Sequence, residues 1–139
     1  MPNRTLTLDT SGILAGLNRR DPNHQEALTA LREGNGWFVI PTGIMAEVTY
    51  MIEARLGPDV LDTFLSDLET GAFTLDCGEA DLPRIRELID RYADLPLGYA
   101  DAAVVACAER RGGRVLSYDI RHFQGVAREG IIHLVSSET

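Results

Sequence analysis

The sequence predicts an α/β domain in which a mostly parallel central sheet is covered by helices on both faces. Three observations support this. Short apolar strands alternate with helices along the whole chain, the order that yields crossover connections and parallel pairing. The length of 139 residues suits a single domain, residues 1–139, and 45% apolar against 24% charged residues suffices to bury a core. No repeat, low-complexity tract or linker interrupts the alternation.

Thr5 to Asp9 alternates at period two, as a strand does, and Ser11 to about Arg19 follows as a helix. Asp21-Pro22-Asn23 stops the chain and restarts it into HQEALTALRE, a helix that ends before Gly34 and Gly36. Trp37 to Ile40 reads as a short apolar strand broken at Pro41, with Trp37 expected in the core. Thr42 can cap a helix from about Gly43 to Leu56; Gly57-Pro58 ends it, and a further helix runs from Asp59 to Thr70. Phe73 to Leu75 reads as a short edge strand. Between Glu79 and Tyr92, Leu82, Ile85, Leu88 and Ile89 recur at helical spacing as a core stripe. Asp94 to Gly98 is a loop, and Tyr99 to Arg111 is a helix of mostly small apolar residues ending at Gly112-Gly113. Val115 to Tyr118 and Ile131 to Val135 are the last two strands.

The charged residues narrow the chemistry. There are 13 arginines, no lysine and 21 Asp plus Glu, for a net charge of −8. Without lysine there is no phosphate-binding loop ending in Gly-Lys-Ser/Thr, no kinase strand lysine and no Schiff-base chemistry. Residues 59–101 carry 3 basic and 11 acidic groups, so the surplus is concentrated there. The overall basic character of a phosphate-gripping protein is missing, and a nucleic-acid substrate would require local arginines and bound cations. No apolar run approaches the ~20 residues of a membrane span, so no membrane association is expected. MPNRTLTLD also lacks the ~7–15-residue apolar stretch of a secretory signal, which points to the cytoplasm. Cys77 and Cys107 match no zinc spacing; both are expected reduced, with Cys107 buried.

Four acids stand where simple solvation explains them poorly. Asp9 ends the first strand and is followed by the hydroxyls of Thr10 and Ser11; a helix cap is the alternative. Glu47 has Ile44, Tyr50, Met51 and Ala54 at helical spacing and so is read onto an apolar face, where it needs a cation or an arginine partner. Asp101 lies among Ala100, Ala102, Ala103, Val104 and Val105, in a helix that must be packed on most sides, at its amino end. Capping is the alternative there too, and the helix dipole offers only ~0.3–1 kcal/mol. Asp119 follows the strand RVLSY, with Ser117 projecting to the same side; a turn aspartate is the alternative. A parallel sheet would bring all four to one edge, where close carboxylates repel and a hard divalent cation relieves them. Oxygen ligands without His or Cys spacing favour Mg2+ or Mn2+ over zinc, and such a cluster supports metal-assisted phosphodiester hydrolysis.

In order and spacing, LDTSGILAGLNRRDPNH, the Glu47 helix, LPLGYADAAVVACAERRGG and RVLSYDIRHF resemble the four acidic motifs of PIN-domain nucleases, and among these the VapC toxins of bacterial toxin–antitoxin pairs. The resemblance spans Leu6 to Phe123. It implies a three-layer α/β/α sandwich and a Mg2+- or Mn2+-dependent endoribonuclease acting on RNA. Asp9, Glu47, Asp101 and Asp119 would fall on the family's metal-binding acids, with Thr10, Ser11 and Ser117 at its accessory hydroxyl positions. Ser117 is a mild departure, since relatives often have Thr before the last acid. The resemblance also implies a homodimer and a cognate antitoxin whose carboxyl-terminal segment covers the acidic site. A non-toxin RNA-processing nuclease of the same fold, and a catalytically inactive protein-interaction domain, are the alternatives.

Further residues complete the expected site. Asp94, seven residues before Asp101 across a Pro-Gly loop, could reach its edge. His122, three residues after Asp119, could touch a phosphate or a proton in transfer, whereas His24 and His133 are read as structural. Arg19 and Arg121 are candidate phosphate contacts among the arginines flanking the motifs, most of which are expected to be solvated or to end helices.

Overall fold

The computed structural model describes residues 5–33, 37–95 and 97–135. Among these residues five strands form one parallel sheet in the order β3-β2-β1-β4-β5. They are β1 (Leu6–Leu8), β2 (Phe38–Pro41), β3 (Thr74–Asp76), β4 (Arg114–Leu116) and β5 (His133–Leu134). Among the described residues seven α-helices surround the sheet: α1 (Thr10–Leu17), α2 (His24–Glu33), α3 (Met45–Leu56), α4 (Pro58–Glu69), α5 (Leu82–Arg91), α6 (Tyr99–Arg110) and α7 (Ile120–Arg128). The parallel α/β sandwich expected from the alternation is the one observed. Gly34 and Gly36, expected to stop α2, and Pro96 of the 94–98 loop lie outside the described residues.

The strand order creates the crevice. From the central β1 the chain winds outward through β2 and β3 on one side, then fills the other side with β4 and β5. Connections therefore leave the carboxyl ends of β1 and β4 in opposite directions, and ligand sites form at such a switch point. The register pairs Leu8 of β1 with Leu116 of β4, so the next residues along, Asp9 and Ser117, emerge side by side.

Helix α6 builds the floor behind that edge. Every residue from Ala102 to Ala108 is buried, and the helix packs on β1, β2, β4 and α5. Its small side chains permit this close approach, and burial on nearly all sides is what the sequence pattern requires. Helix α1 is held equally close to β4. A Cβ on Gly12 would stand 2.4 Å from the Leu116 carbonyl oxygen, so only glycine fits.

Three expectations are corrected. Trp37 precedes β2 instead of packing in the core and is 65% exposed; Phe38, Phe64 and Phe73 pack against one another there instead. Leu82, the first residue of α5, is 54% exposed, so the core stripe of that helix rests on the buried Ile85 and Leu88. Helix α7 has no counterpart among the elements expected from the sequence. IRHFQGVAR buries only Phe123 and Val126, and Gly125 at its centre reads as a breaker. In the fold that glycine is where α7 meets Leu95, whose Cδ1 would lie 2.6 Å from an added Cβ.

Two buried acids outside the expected set are neutralised by arginine. Arg110 donates from Nε to Asp81 at 2.6 Å and from a terminal nitrogen to Asp76 at 2.8 Å, while Arg111 Nε donates to Asp76 at 2.7 Å. These bonds hold the Asp76 carboxyl below its ordinary range, the Arg110 bond most of all. The network ties the end of β3 to the end of α6. His24 is structural as expected, its Nδ1–H donating to the Ala15 carbonyl at 2.8 Å. Cys77 and Cys107 are both free, and Cys107 is buried. No helix among the described residues is long and apolar enough to cross a membrane.

Candidate active site

A cleft of about 430 Å³ opens at the carboxyl edge between β1 and β4, and Asp9, Glu47, Asp101 and Asp119 all line it. They arrive from four separate stretches of chain: the end of β1, the first turn of α3, the first turn of α6 and the residue before α7. Thr10, Ser11 and His122 also line it.

Asp9 is the most enclosed, at 6% exposure. It stands at the N-cap position of α1, yet its side chain caps nothing. Instead its Oδ2 accepts a hydrogen bond from Ser117 Oγ at 2.8 Å and another from Ser11 Oγ at 3.0 Å. Burial pushes its carboxyl above the ordinary range, and the charge of Asp119 adds to this; the two serine hydroxyls and the Thr10 amide pull against it. Ser117 is fully buried and also accepts the Asp119 backbone N–H at 3.0 Å. Ser11 Oγ accepts the Tyr118 N–H at 2.9 Å. One small hydroxyl network thus fixes Asp9 and the backbone at Asp119 together, which explains why the polar residues flanking these acids are Ser and Thr.

Glu47 reaches the cleft differently from the expected way. It is exposed, not on the core face of α3; Ile44, Val48 and Ile52 form that face, each at 0% exposure, and Tyr50 is 72% exposed. Of the apolar residues counted as its stripe, Tyr50 and Ala54 turn outward with it, whereas Ile44 is buried and Met51 packs against the core. Its Oε2 accepts from Thr10 Oγ1 at 2.7 Å, which links α3 to α1. No arginine pairs with it among the described residues.

Asp101 and Asp119 share a neighbour. His122 Nδ1 lies 3.0 Å from Asp101 Oδ2 and 2.9 Å from Asp119 Oδ2, without the directionality of a hydrogen bond to either. Burial pushes the Asp101 carboxyl up to about 6; the His122 charge opposes this, while Asp9 and Asp119 raise it further. Burial is thus the main cause of the elevation at both Asp9 and Asp101, and the neighbouring carboxylates add to it. The contrast with Asp76 and Asp81 is direct, because those two buried acids have arginines.

The remaining expected residues fall elsewhere. Asp94 is exposed in the turn after α5 and does not line the cleft, nor does the exposed Arg121 on α7. Arg19 is exposed beyond the end of α1 and lines a neighbouring cavity with Arg20 and Arg55. The cleft also contains residues the linear sequence did not single out: Asp21, Arg55, Tyr99 and Tyr118. Asp21 was legible only as a turn residue, and Arg55 only as the charge at the end of a helix.

The donor set suits a hard divalent cation in kind: carboxylate and hydroxyl oxygens, two of the acids with raised affinity for protons and none neutralised by arginine. The side chains stand apart and do not close into a cage, for among the described residues no three acidic, imidazole or thiol groups are arranged to hold a metal ion.

Comparison with known proteins agrees with this geometry. The sequence profile described as PIN domain matches residues 6–129. Ribonuclease VapC26 of Mycobacterium tuberculosis is 31% identical over 123 residues, which cover 87% of this chain and 91% of that protein. The crystal structure of VapC20 from the same organism, described as a sarcin-ricin loop cleaving toxin, superposes with a TM-score of 0.76 at 17% identity, covering 87% of this chain and 95% of that one. The likeness to VapC20 is one of fold. Profile, relative and acid-lined switch point together show that the chain belongs to the PIN-domain family, as a VapC-like member.

Proposed function

We propose that the chain is an Mg2+- or Mn2+-dependent endoribonuclease and the toxin of a toxin–antitoxin pair. Its substrate is RNA, its partners are a cognate antitoxin and a second copy of itself, and it works in the cytoplasm. The observation that carries this reading is the convergence of Asp9, Glu47, Asp101 and Asp119 on one cleft, with no arginine neutralising any of them among the described residues. The ribonuclease name of the 31% identical relative supports the reaction class, and the description of VapC20 supports the toxin role.

Asp9, Asp101 and Asp119 would hold the cation, with Glu47 at the opposite wall. A divalent ion bound there supplies Lewis acidity at a phosphodiester and offsets charge developing on the leaving oxygen. The protein's own part is orientation. Ser11 and Ser117 keep the Asp9 carboxylate turned toward the cleft, Thr10 holds Glu47, and the Ser117 bond to the Asp119 amide sets the start of α7. His122, beside both Asp101 and Asp119, is placed to receive or return a proton at Nδ1. The acidic cleft repels an RNA backbone until these charges are offset.

The test is incubation of purified protein with total cellular RNA in Mn2+ or in chelator, followed by mapping of new ends. Discrete, metal-dependent cuts that vanish in Asp9→Asn and Asp101→Asn are expected. Cleavage that survives both substitutions, or that proceeds in chelator, overturns the reading. An intact fold with no cleavage under either condition favours a protein-interaction domain.

A further inference from the structure

Beside the acidic cleft lies a second cavity of about 410 Å³, lined by Arg19, Arg20 and Arg55 over an apolar floor of Leu17, Leu56 and Val60. Arg55 lines both cavities, so the two share a wall. Building on the proposed ribonuclease reading, we infer that this second cavity is an anchoring subsite for the RNA, holding a backbone phosphate and its nucleoside outside the cleavage cleft.

The local structure that creates it is specific. Helix α1 ends at Leu17, and Asn18 then folds the chain: its amide bonds to the Leu14 carbonyl at 2.9 Å and its Oδ1 accepts the Arg20 N–H at 3.0 Å. This turn presents Arg19 and Arg20 on consecutive positions. Facing them is the α3–α4 corner, where Gly57, at φ 94°, bonds its amide to the Ile52 and Glu53 carbonyls before Pro58 starts the next helix. The corner places Arg55 and Leu56 at the carboxyl end of α3 and Val60 in the first turn of the next helix.

The charges are available. Among the described residues Arg84, Arg91, Arg110 and Arg111 are held by carboxylates, whereas none of Arg19, Arg20 and Arg55 makes an ion pair, and all three are exposed. Three guanidinium groups over an aliphatic floor match the two halves of a nucleotide: phosphate to arginine, sugar and base to the apolar surface. A volume of about 410 Å³ falls within the range of pockets that take small organic groups. The subsite also answers the electrostatic difficulty of the net charge of −8, because a polyanion gripped here is led past Arg55 into the acidic cleft.

The test measures binding of a short labelled single-stranded RNA of mixed sequence to the intact protein in chelator, so that cleavage plays no part. The triple variant Arg19→Ala/Arg20→Ala/Arg55→Ala should raise Kd roughly tenfold or more and flatten the slope of log Kd against log salt by about 2, at ~0.7 per lost contact. Lysine at the same three positions should keep most of the slope. Arg86→Ala/Arg128→Ala, removing charge from other surfaces, should change Kd less than about twofold. Unchanged Kd and slope in the triple variant, an equal loss in the control, or no RNA binding by the unmodified protein overturns the inference. Failure of the nuclease reading looks different: RNA binding that depends on these arginines in a protein that cuts nothing. If the unmodified protein cuts RNA and the triple variant keeps its KM, the subsite alone is refuted.

Discussion

Ser117→Ala isolates the hydroxyl network from the acids it serves. Ser117 Oγ donates to Asp9 at 2.8 Å, accepts the Asp119 amide at 3.0 Å and lies 3.1 Å from Ser11 Oγ, all at zero exposure. Deleting it removes the largest influence holding down the Asp9 proton affinity, which burial already raises. A hydrogen bond to a charged group contributes about 1.5–3 kcal/mol, and loss of a group that orients a metal ligand lowers metal affinity by about 10–100-fold. The two figures agree, since tenfold corresponds to about 1.4 kcal/mol. Titrating Mn2+ against RNA cleavage should therefore give an apparent metal Kd raised by about 10–100-fold, with the acid limb of the pH–rate profile displaced upward. Ser117→Thr, which keeps the hydroxyl, should recover much of the loss. An unchanged Mn2+ titration and an unchanged acid limb in a folded Ser117→Ala protein would refute the claim that this hydroxyl prepares Asp9.

Because the folded state raises the Asp101 carboxyl from 3.8 to about 6, the native state binds more protons than the unfolded chain across that window. Stability of the metal-free protein should then fall as pH rises through about 6, and Mn2+ should raise the Tm more at pH well above 6 than below it; an equal shift at both would contradict this. Arg110→Ala leaves Asp76 and Asp81, at 7% and 5% exposure, without their shared partner. Chemical denaturation should show a loss of about 2–3 kcal/mol, less than the ~3–5 of a fully enclosed pair because the guanidinium is partly solvated. Gly12→Ala forces a Cβ against the Leu116 carbonyl, so α1 must shift from β4; a destabilisation of about 1–3 kcal/mol with reduced cleavage is expected, and wild-type behaviour in both assays would show the contact to be relaxed easily.

Much of the fold was legible because its signals are local. Period-two strands, the Gly-Pro punctuation between α3 and α4, and the small-residue run of α6 each act within a few residues, and alternation then implies a parallel sheet; the expected Thr42 cap is absent, its hydroxyl donating to the distant Cys77 carbonyl instead. Helix α7 escaped because two core residues and a central glycine make a weak pattern, and that glycine is explained only by Leu95, 30 positions away. Trp37 and Glu47 show the same limit. Which face of a strand or helix turns inward depends on neighbours that the chain brings from far away, so one missed rotation moves Tyr50 and Glu47 outward together.

The amino-acid order alone determined that acids would follow the first strand and the strand RVLSY, with hydroxyls beside them, since these are properties of consecutive residues at element boundaries. Tertiary structure decided which acids stay un-neutralised. Nothing along the chain marks Asp76 and Asp81 as acids with arginine partners, yet the fold gives them Arg110 and Arg111, while Asp9 receives two serine hydroxyls and a backbone amide and Asp101 a histidine. Charge compensation depends on distances of a few ångströms between groups tens of residues apart, and no periodicity in the sequence encodes those distances.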